Sequence, residues 1–164
     1  MCFDIHMSSD LAKKLSFVNF GNICKDCKVN CCRRFYAVLL PEEEESFKGV
    51  AFEVSTPLGS VKAIGSRNGA PCPFLDEKGF CKVYSQRAFD CRLWPLLLYY
   101  DFNTGEKVLY LDLECPAAEK GLISKEFIDK VLQILKSSRI DVEWLKKYTL
   151  APWPNRLKEI ARFK

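Results

Sequence analysis

The chain has 164 residues, 48% of them hydrophobic and 28% charged, with 8 Gly and 8 Pro. That composition excludes a disordered or collagen-like chain, and the length is enough to bury a core without covalent staples. Net charge is +4, too mild to specify a partner, so the one count that stands out is 9 Cys against a single His.

In chain order, residues 1–8 show neither a basic segment nor an apolar one, so no secretory leader is expected. The longest apolar run, Leu93 to Tyr100, is broken by Pro95 and is too short to span a bilayer. These features predict a cytoplasmic address, where thiols stay reduced. Ser9 to Phe20 predicts a short helix entered through Ser and Asp and closed near Gly21. Cys24 to Cys32 is too cysteine-dense for a regular element and reads as a ligand loop. Arg34 to Leu40 is strand-like. Pro41 and the acids Glu42 to Glu45 then open a helix, with the acids serving its dipole and no metal.

Ala51 to Ser66 predicts two short strands about Thr56-Pro57-Leu58-Gly59. Cys72 to Tyr84 resembles a hairpin turned at Asp76 to Gly79, and Ser85 is placed to cap a short helix leading to Cys91. Leu96 to Phe102 and Lys107 to Leu113 flank a turn at Asn103 to Glu106, which predicts another hairpin. Phe127, Ile128, Val131, Leu132 and Leu135 form one apolar helical stripe, with Ser124 as its N-cap. A last helical region starts at Asp141, breaks at Pro152-Trp153-Pro154 and resumes from Asn155. The expected class is α+β, with small antiparallel hairpins and cysteine-rich loops packed with several α-helices. One domain is expected over 1–164, with 24–115 as the metal-binding region and 123–164 as a helical C-terminal part.

The cysteines follow a pattern: Cys24-x2-Cys27-x3-Cys31-Cys32, then Cys72-x8-Cys81-x9-Cys91, then Cys115-Pro116. Nine is an odd number for a disulfide framework, and a reduced compartment favours ligation. Cys2 stands apart near the terminus, leaving eight. Two cysteines separated by two residues can turn both sulfurs toward one ion, as in zinc and iron–sulfur sites. Adjacent Cys31 and Cys32, in extended backbone, point to opposite sides and suit two centres or two irons of one cluster. Thiolate-only ligation selects zinc or iron–sulfur over magnesium and calcium. A zinc ribbon brings a second Cys-x2-Cys, which this chain lacks, and the long later gaps suit a larger object gripped from several loops. Iron–sulfur is therefore placed ahead of zinc.

The segments Cys24 to Arg33, Pro71 to Leu75 and Cys81 to Pro95, followed by Cys115-Pro116, resemble the YkgJ-type cysteine-cluster family, also called CxxCxxCC. The resemblance runs from about Cys24 to Leu135. It implies metal or iron–sulfur binding, and relatives include a flagellin lysine methylase with a similar cysteine region. Two departures stand out: three residues, Lys28, Val29 and Asn30, separate the second and third cysteines instead of two, and Arg87-Ala88 replaces the family's Arg-Pro.

Among the polar neighbours, Tyr84, Arg87 and Arg92 are candidates to bind the cofactor. They could donate to cluster sulfurs or hold a substrate anion, against the plainer reading of ion pairs with Asp90 or Glu77. Lys25, Lys28, Arg33 and Arg34 could offset thiolate charge, with only Asp26 opposing them; Lys158, Arg162 and Lys164 charge the tail. Trp94, Pro95 and Leu96 to Leu98, like Phe74 and Leu75, read as core. His6 has no visible partner for nucleophilic catalysis, and no Walker loop or dinucleotide turn occurs.

The expected cofactor is thus an iron–sulfur cluster of the 4Fe–4S kind, one or two, with Zn2+ as the alternative. Its ligands are Cys24, Cys27, Cys31, Cys32, Cys72, Cys81, Cys91 and Cys115. The matching functions are electron transfer or protein modification, a zinc-stabilised interaction module without catalysis, or metal storage and delivery. The expected partner is a protein or redox partner, with nucleic acid disfavoured and no membrane. No catalytic residue is assigned.

Overall fold

The computed structural model describes residues 9–18, 20, 24, 27, 31–152 and 156–164. Cys2, His6, Lys25, Asp26, Lys28 and the break at Trp153-Pro154 lie outside the described residues. The fold is α+β, with six α-helices and two three-stranded antiparallel sheets among the described residues. Contacts group the chain into two compact units, one within Met1–Val54 and Val61–Arg92, the other formed by Ser55–Ser60 and Leu93–Lys164.

The first unit opens with α1 (Asp10–Lys14), whose N-cap Ser9 accepts the Ala12 N–H. The predicted helix to Phe20 stops early, because the chain turns at Leu15 to bury Leu15 and Val18. Cys31–Arg34 forms a single helical turn, α2, closed by the Phe35 N–H donating to the Cys31 carbonyl (2.8 Å). That corrects the loop and the extended backbone expected for Cys31 and Cys32. Strand β1 (Tyr36–Val38) then pairs with β3 (Gly59–Gly65), which neighbours β2 (Phe52–Thr56), giving the order β1-β3-β2.

Gly65 sits opposite Tyr36 at φ 121°, and a Cβ there would lie 2.7 Å from the Phe35 carbonyl oxygen. Only glycine lets β3 pass so close to the segment leaving α2.

The acidic stretch forms a 3-10 turn at Pro41–Glu43 followed by irregular turns, in place of the predicted helix. The physical reason is Glu43, which is fully buried. Its Oε1 accepts the Leu40 N–H (2.9 Å). Its Oε2 accepts both the Phe89 N–H (2.8 Å) and the Ser9 hydroxyl (3.2 Å). A carboxylate drawn inward this way cannot also continue a solvated helix.

Beyond Cys72, the expected hairpin reduces to one bridge, Leu75 with Cys81, around a turn in which Asp76 accepts the Lys78 and Phe80 N–H groups. Helix α3 (Phe89–Leu93) carries Cys91. Ser85 does not cap it: Ser85 lies in the 3-10 turn Tyr84–Gln86, and the leading N–H of α3 belongs to Glu43.

The second unit holds the predicted hairpin, β4 (Leu96–Tyr100) with β5 (Lys107–Asp112), in the register Leu96 opposite Leu111. Leu96, Leu97 and Leu98 are buried, as expected of core. A four-residue helix α4 (Pro116–Glu119) precedes α5 (Lys125–Ser137), capped by Ser124, and α6 (Val142–Leu150), capped by Asp141. On α6, Trp144 and Tyr148 stack at 5.1 Å, and Tyr148 meets Tyr99 of β4 edge-on. The helix expected from Asn155 is instead strand β6 (Leu157–Phe163), which pairs with β5. Pairing with an open sheet edge outweighs the helix-compatible sequence. A bulge leaves Ile160 without an opposite residue.

Burial raises the Glu43 pKa from an ordinary 4.5 to about 7, against three hydrogen bonds that favour the ionised form. Folding then takes up a proton between those values, so the stabilisation present below pH 4.5 is lost as pH rises toward 7. Wild-type protein is expected to lose about 2 kcal/mol of unfolding free energy from this group between pH 5 and pH 7. Urea titrations at both pH values check it, with Glu43→Gln expected to narrow the gap. An identical gap in both proteins would contradict it.

Candidate metal centre

Four cysteines from three segments meet in the core of the first unit. Cys72 is buried among Ala37, Leu39, Phe47, Ile64, Phe74, Val83 and Ala88, and Cys32, Cys81 and Cys91 pack against that cluster. Phe47 and Phe74 meet edge-on at 6.1 Å and close one side. Backbone ties bring the segments together: the Cys72 N–H donates to the Cys32 carbonyl (2.7 Å) and the Lys82 N–H to the Phe74 carbonyl (2.7 Å). Cys27, Cys32, Cys72, Cys81 and Cys91 carry free thiols.

The thiols interact electrostatically. Burial first, then charge on Cys72 and Cys81, pushes Cys32 up to about 12, while Arg87 opposes. Cys24 adds a smaller repulsion, which places it within reach of Cys32. Cys91 is pushed well up by burial, then by Asp90, Cys32 and Cys81. Burial also raises Cys72 and Cys81, but their sulfurs accept backbone N–H groups, from Phe74 and Leu75 for Cys72 and from Val83 for Cys81. Such N–H groups stabilise a thiolate and orient it. Cys32 is thus the hub, coupled to the other core sulfurs and to Cys24.

The other predicted ligands lie in different surroundings. Cys24 is exposed, and its carbonyl accepts the Cys27 N–H (3.0 Å). Cys31 is half-buried at the start of α2. Cys115 belongs to the second unit, where it precedes Pro116 of α4. Arg156 brackets it by donating to the Leu113 carbonyl (2.8 Å) and the Glu114 carboxylate (3.0 Å).

Of the polar candidates, Arg87 stacks over the Tyr84 ring at 3.8 Å. It donates to the carbonyls of Tyr84, Val18 and Cys91. Arg92 is buried and donates to the carbonyls of Arg87 and Ser85. Asp90, offered as an ion-pair partner, instead accepts the Val38 N–H (2.9 Å). In the tail, Arg162 is engaged by Asp101 and Glu159. Glu43 escaped the sequence reading although a signal was present: an acid two residues after Pro41 occupies the N3 place of a capping box.

A family model described as "Putative zinc- or iron-chelating domain", CxxCxxCC, matches residues 23–116, more than half of the chain. The chain belongs to this family. The matched segment contains every predicted ligand, and α5, α6 and β6 lie beyond it. No curated protein and no solved structure matches the chain.

The donor chemistry fits the family's description. Soft thiols with N–H groups on the sulfurs suit zinc or iron, whereas an oxygen-rich site would suit magnesium or calcium. Among the described residues, no three Cys, His, Asp or Glu side chains form a ready metal-holding group.

Because raised thiols must lose protons to ligate, affinity must climb with pH. Zinc affinity, measured by competition with a chelator between pH 6 and pH 8, is expected to rise more than tenfold per pH unit, as displacement of several protons requires. A rise of tenfold or less would mean one thiol proton at most is displaced.

Proposed function

We propose that the protein carries iron–sulfur of the 4Fe–4S kind, one cluster or two, with ligands drawn from Cys24, Cys27, Cys31, Cys32, Cys72, Cys81, Cys91 and Cys115, and acts in electron transfer or protein modification. The observation that carries this reading is the convergence of Cys32, Cys72, Cys81 and Cys91 in one apolar pocket, with Cys24 within electrostatic reach of Cys32. A 4Fe–4S cluster takes four thiolates, so the eight cysteines of the pattern match two such clusters. A bound cluster supplies one-electron chemistry; the chain supplies the dry wall, from Phe47, Phe74 and Val83, and the countercharge of Arg87. Apolar surroundings and an adjacent cation pull a cluster's potential in opposite directions, so Arg87 is a tuning residue in this reading. Arg92, buried beside it, repels Arg87 and holds the turn between Ser85 and Arg87.

A zinc-stabilised interaction module is the second reading. Cys32, Cys72, Cys81 and Cys91 by themselves make up a four-thiolate set, the closed complement of a structural zinc. Both readings suit a reduced, cytoplasmic setting and a protein or redox partner. Among the described residues, no helix is long and apolar enough to cross a membrane.

Purification without oxygen separates the two. The expected result is a brown protein containing iron and acid-labile sulfide, bleached by air or dithionite. A colourless preparation with stoichiometric zinc and no sulfide would overturn the cluster in favour of zinc. Cys31→Ser and Cys32→Ser are each expected to lower metal content, Cys32→Ser more severely because Cys32 is the hub. If both match wild type, the eight-ligand assignment fails.

A further inference from the structure

We infer that Tyr84 and Arg87 are positioning residues that dock the N-terminal arm, and so deliver the Cys24–Cys27 pair to the thiol cluster. The inference rests on the metal-centre reading but assigns these two side chains a role that ligation chemistry does not. A continuous hydrogen-bonded path runs from Tyr84 to the pair. The Phe20 N–H donates to the Tyr84 hydroxyl (3.3 Å), the Cys24 N–H to the Phe20 carbonyl (2.8 Å), and the Cys27 N–H to the Cys24 carbonyl (3.0 Å).

Arg87 supplies the second attachment. One nitrogen, Nη2, donates to the Val18 carbonyl on the arm (3.1 Å), and the other, Nη1, to the Cys91 carbonyl on α3 (3.4 Å). The planar fork thus spans the two segments whose cysteines must meet. It is held rigid from below by the Tyr84 ring and from the side by the Tyr84 carbonyl, which accepts Nε–H (3.0 Å). Lysine has no such fork and cannot bridge both carbonyls. The far end of the arm is anchored separately, through Ser9 to Glu43 and on to the Phe89 N–H of α3. Among the described residues, these attachments lead from the arm to the 84–92 segment that carries Cys91, while Cys72 and Cys81 are also held by other ties, the Cys72 N–H to the Cys32 carbonyl and the Lys82 N–H to the Phe74 carbonyl.

This division makes a selective prediction. Tyr84→Phe removes the acceptor for Phe20 and keeps the ring, and Arg87→Lys keeps the charge but loses the fork. In metal-free protein, mass-mapped alkylation with iodoacetamide is expected to run several-fold faster at the half-buried Cys27 in both variants, with Cys72 and Cys81 unchanged. With Zn2+ alone as probe, each variant is expected to bind about tenfold more weakly, as for other groups that orient metal ligands. That loss should vanish when the variant is built on Cys24→Ser/Cys27→Ser.

Alkylation that is unchanged, or that rises equally at all cysteines, would overturn the docking role. So would an affinity loss that persists in the doubly substituted background. If wild type bound no metal, the metal-centre reading would fail, and the alkylation pattern would still decide the docking role.

Discussion

The structure depends on one electrostatic conflict: thiols buried in an apolar core must become thiolates to hold a metal. Burial, joined by repulsion from neighbouring sulfurs, drives the Cys32 thiol up to about 12 and Cys91 well up. Desolvating several like charges together is costly unless a cation joins them. The fold supplies part of the compensation itself, through N–H groups on Cys72 and Cys81 and the guanidinium of Arg87. A bound zinc or iron, which the family's description names, would supply the remainder, so loading of this site and stability of this unit are expected to be coupled.

A second layer of buried polar groups holds the segments that bear those sulfurs. Glu43 joins the start of α1, the Leu40 turn and the start of α3, while Asp90 of α3 reaches the β1 backbone at Val38. Arg87 and Arg92 spend their N–H groups on carbonyls of the 84–92 segment and the arm. These charged groups replace secondary-structure hydrogen bonds where the chain is too irregular to make them. Short elements have ends satisfied from other segments: the Cys32 carbonyl of α2 accepts the Cys72 N–H, and Glu43 accepts the leading N–H of α3.

The second unit is organised differently, by ordinary packing. Its β4–β5–β6 sheet and α6 follow from apolar runs, caps and an aromatic stack among Trp144, Tyr148 and Tyr99. Within it, Cys115 sits in a segment bracketed by Arg156, so the sequence beyond the family's matched region still shapes the surroundings of a family cysteine.

Local signals sufficed wherever one residue type serves one nearby purpose. Ser9, Ser124 and Asp141 cap the helices they precede, the Asn103 to Glu106 turn joins two strands, and the cysteine-bearing segments carried the resemblance to the family that the family model matches. What tertiary structure alone decided were the features set by distant partners. Residues 157–163 became a strand because β5 offered an open edge, and Glu43 turned inward because Phe89 and Ser9 presented donors 46 and 34 residues away in sequence. Tyr84 and Arg87, chosen from sequence for their reach toward a cofactor, also hold the arm's backbone, a partner 64 and 69 residues away in sequence. A sequence records which groups can bond, but the partner of a buried charge is set by whichever segment the packed core brings to it.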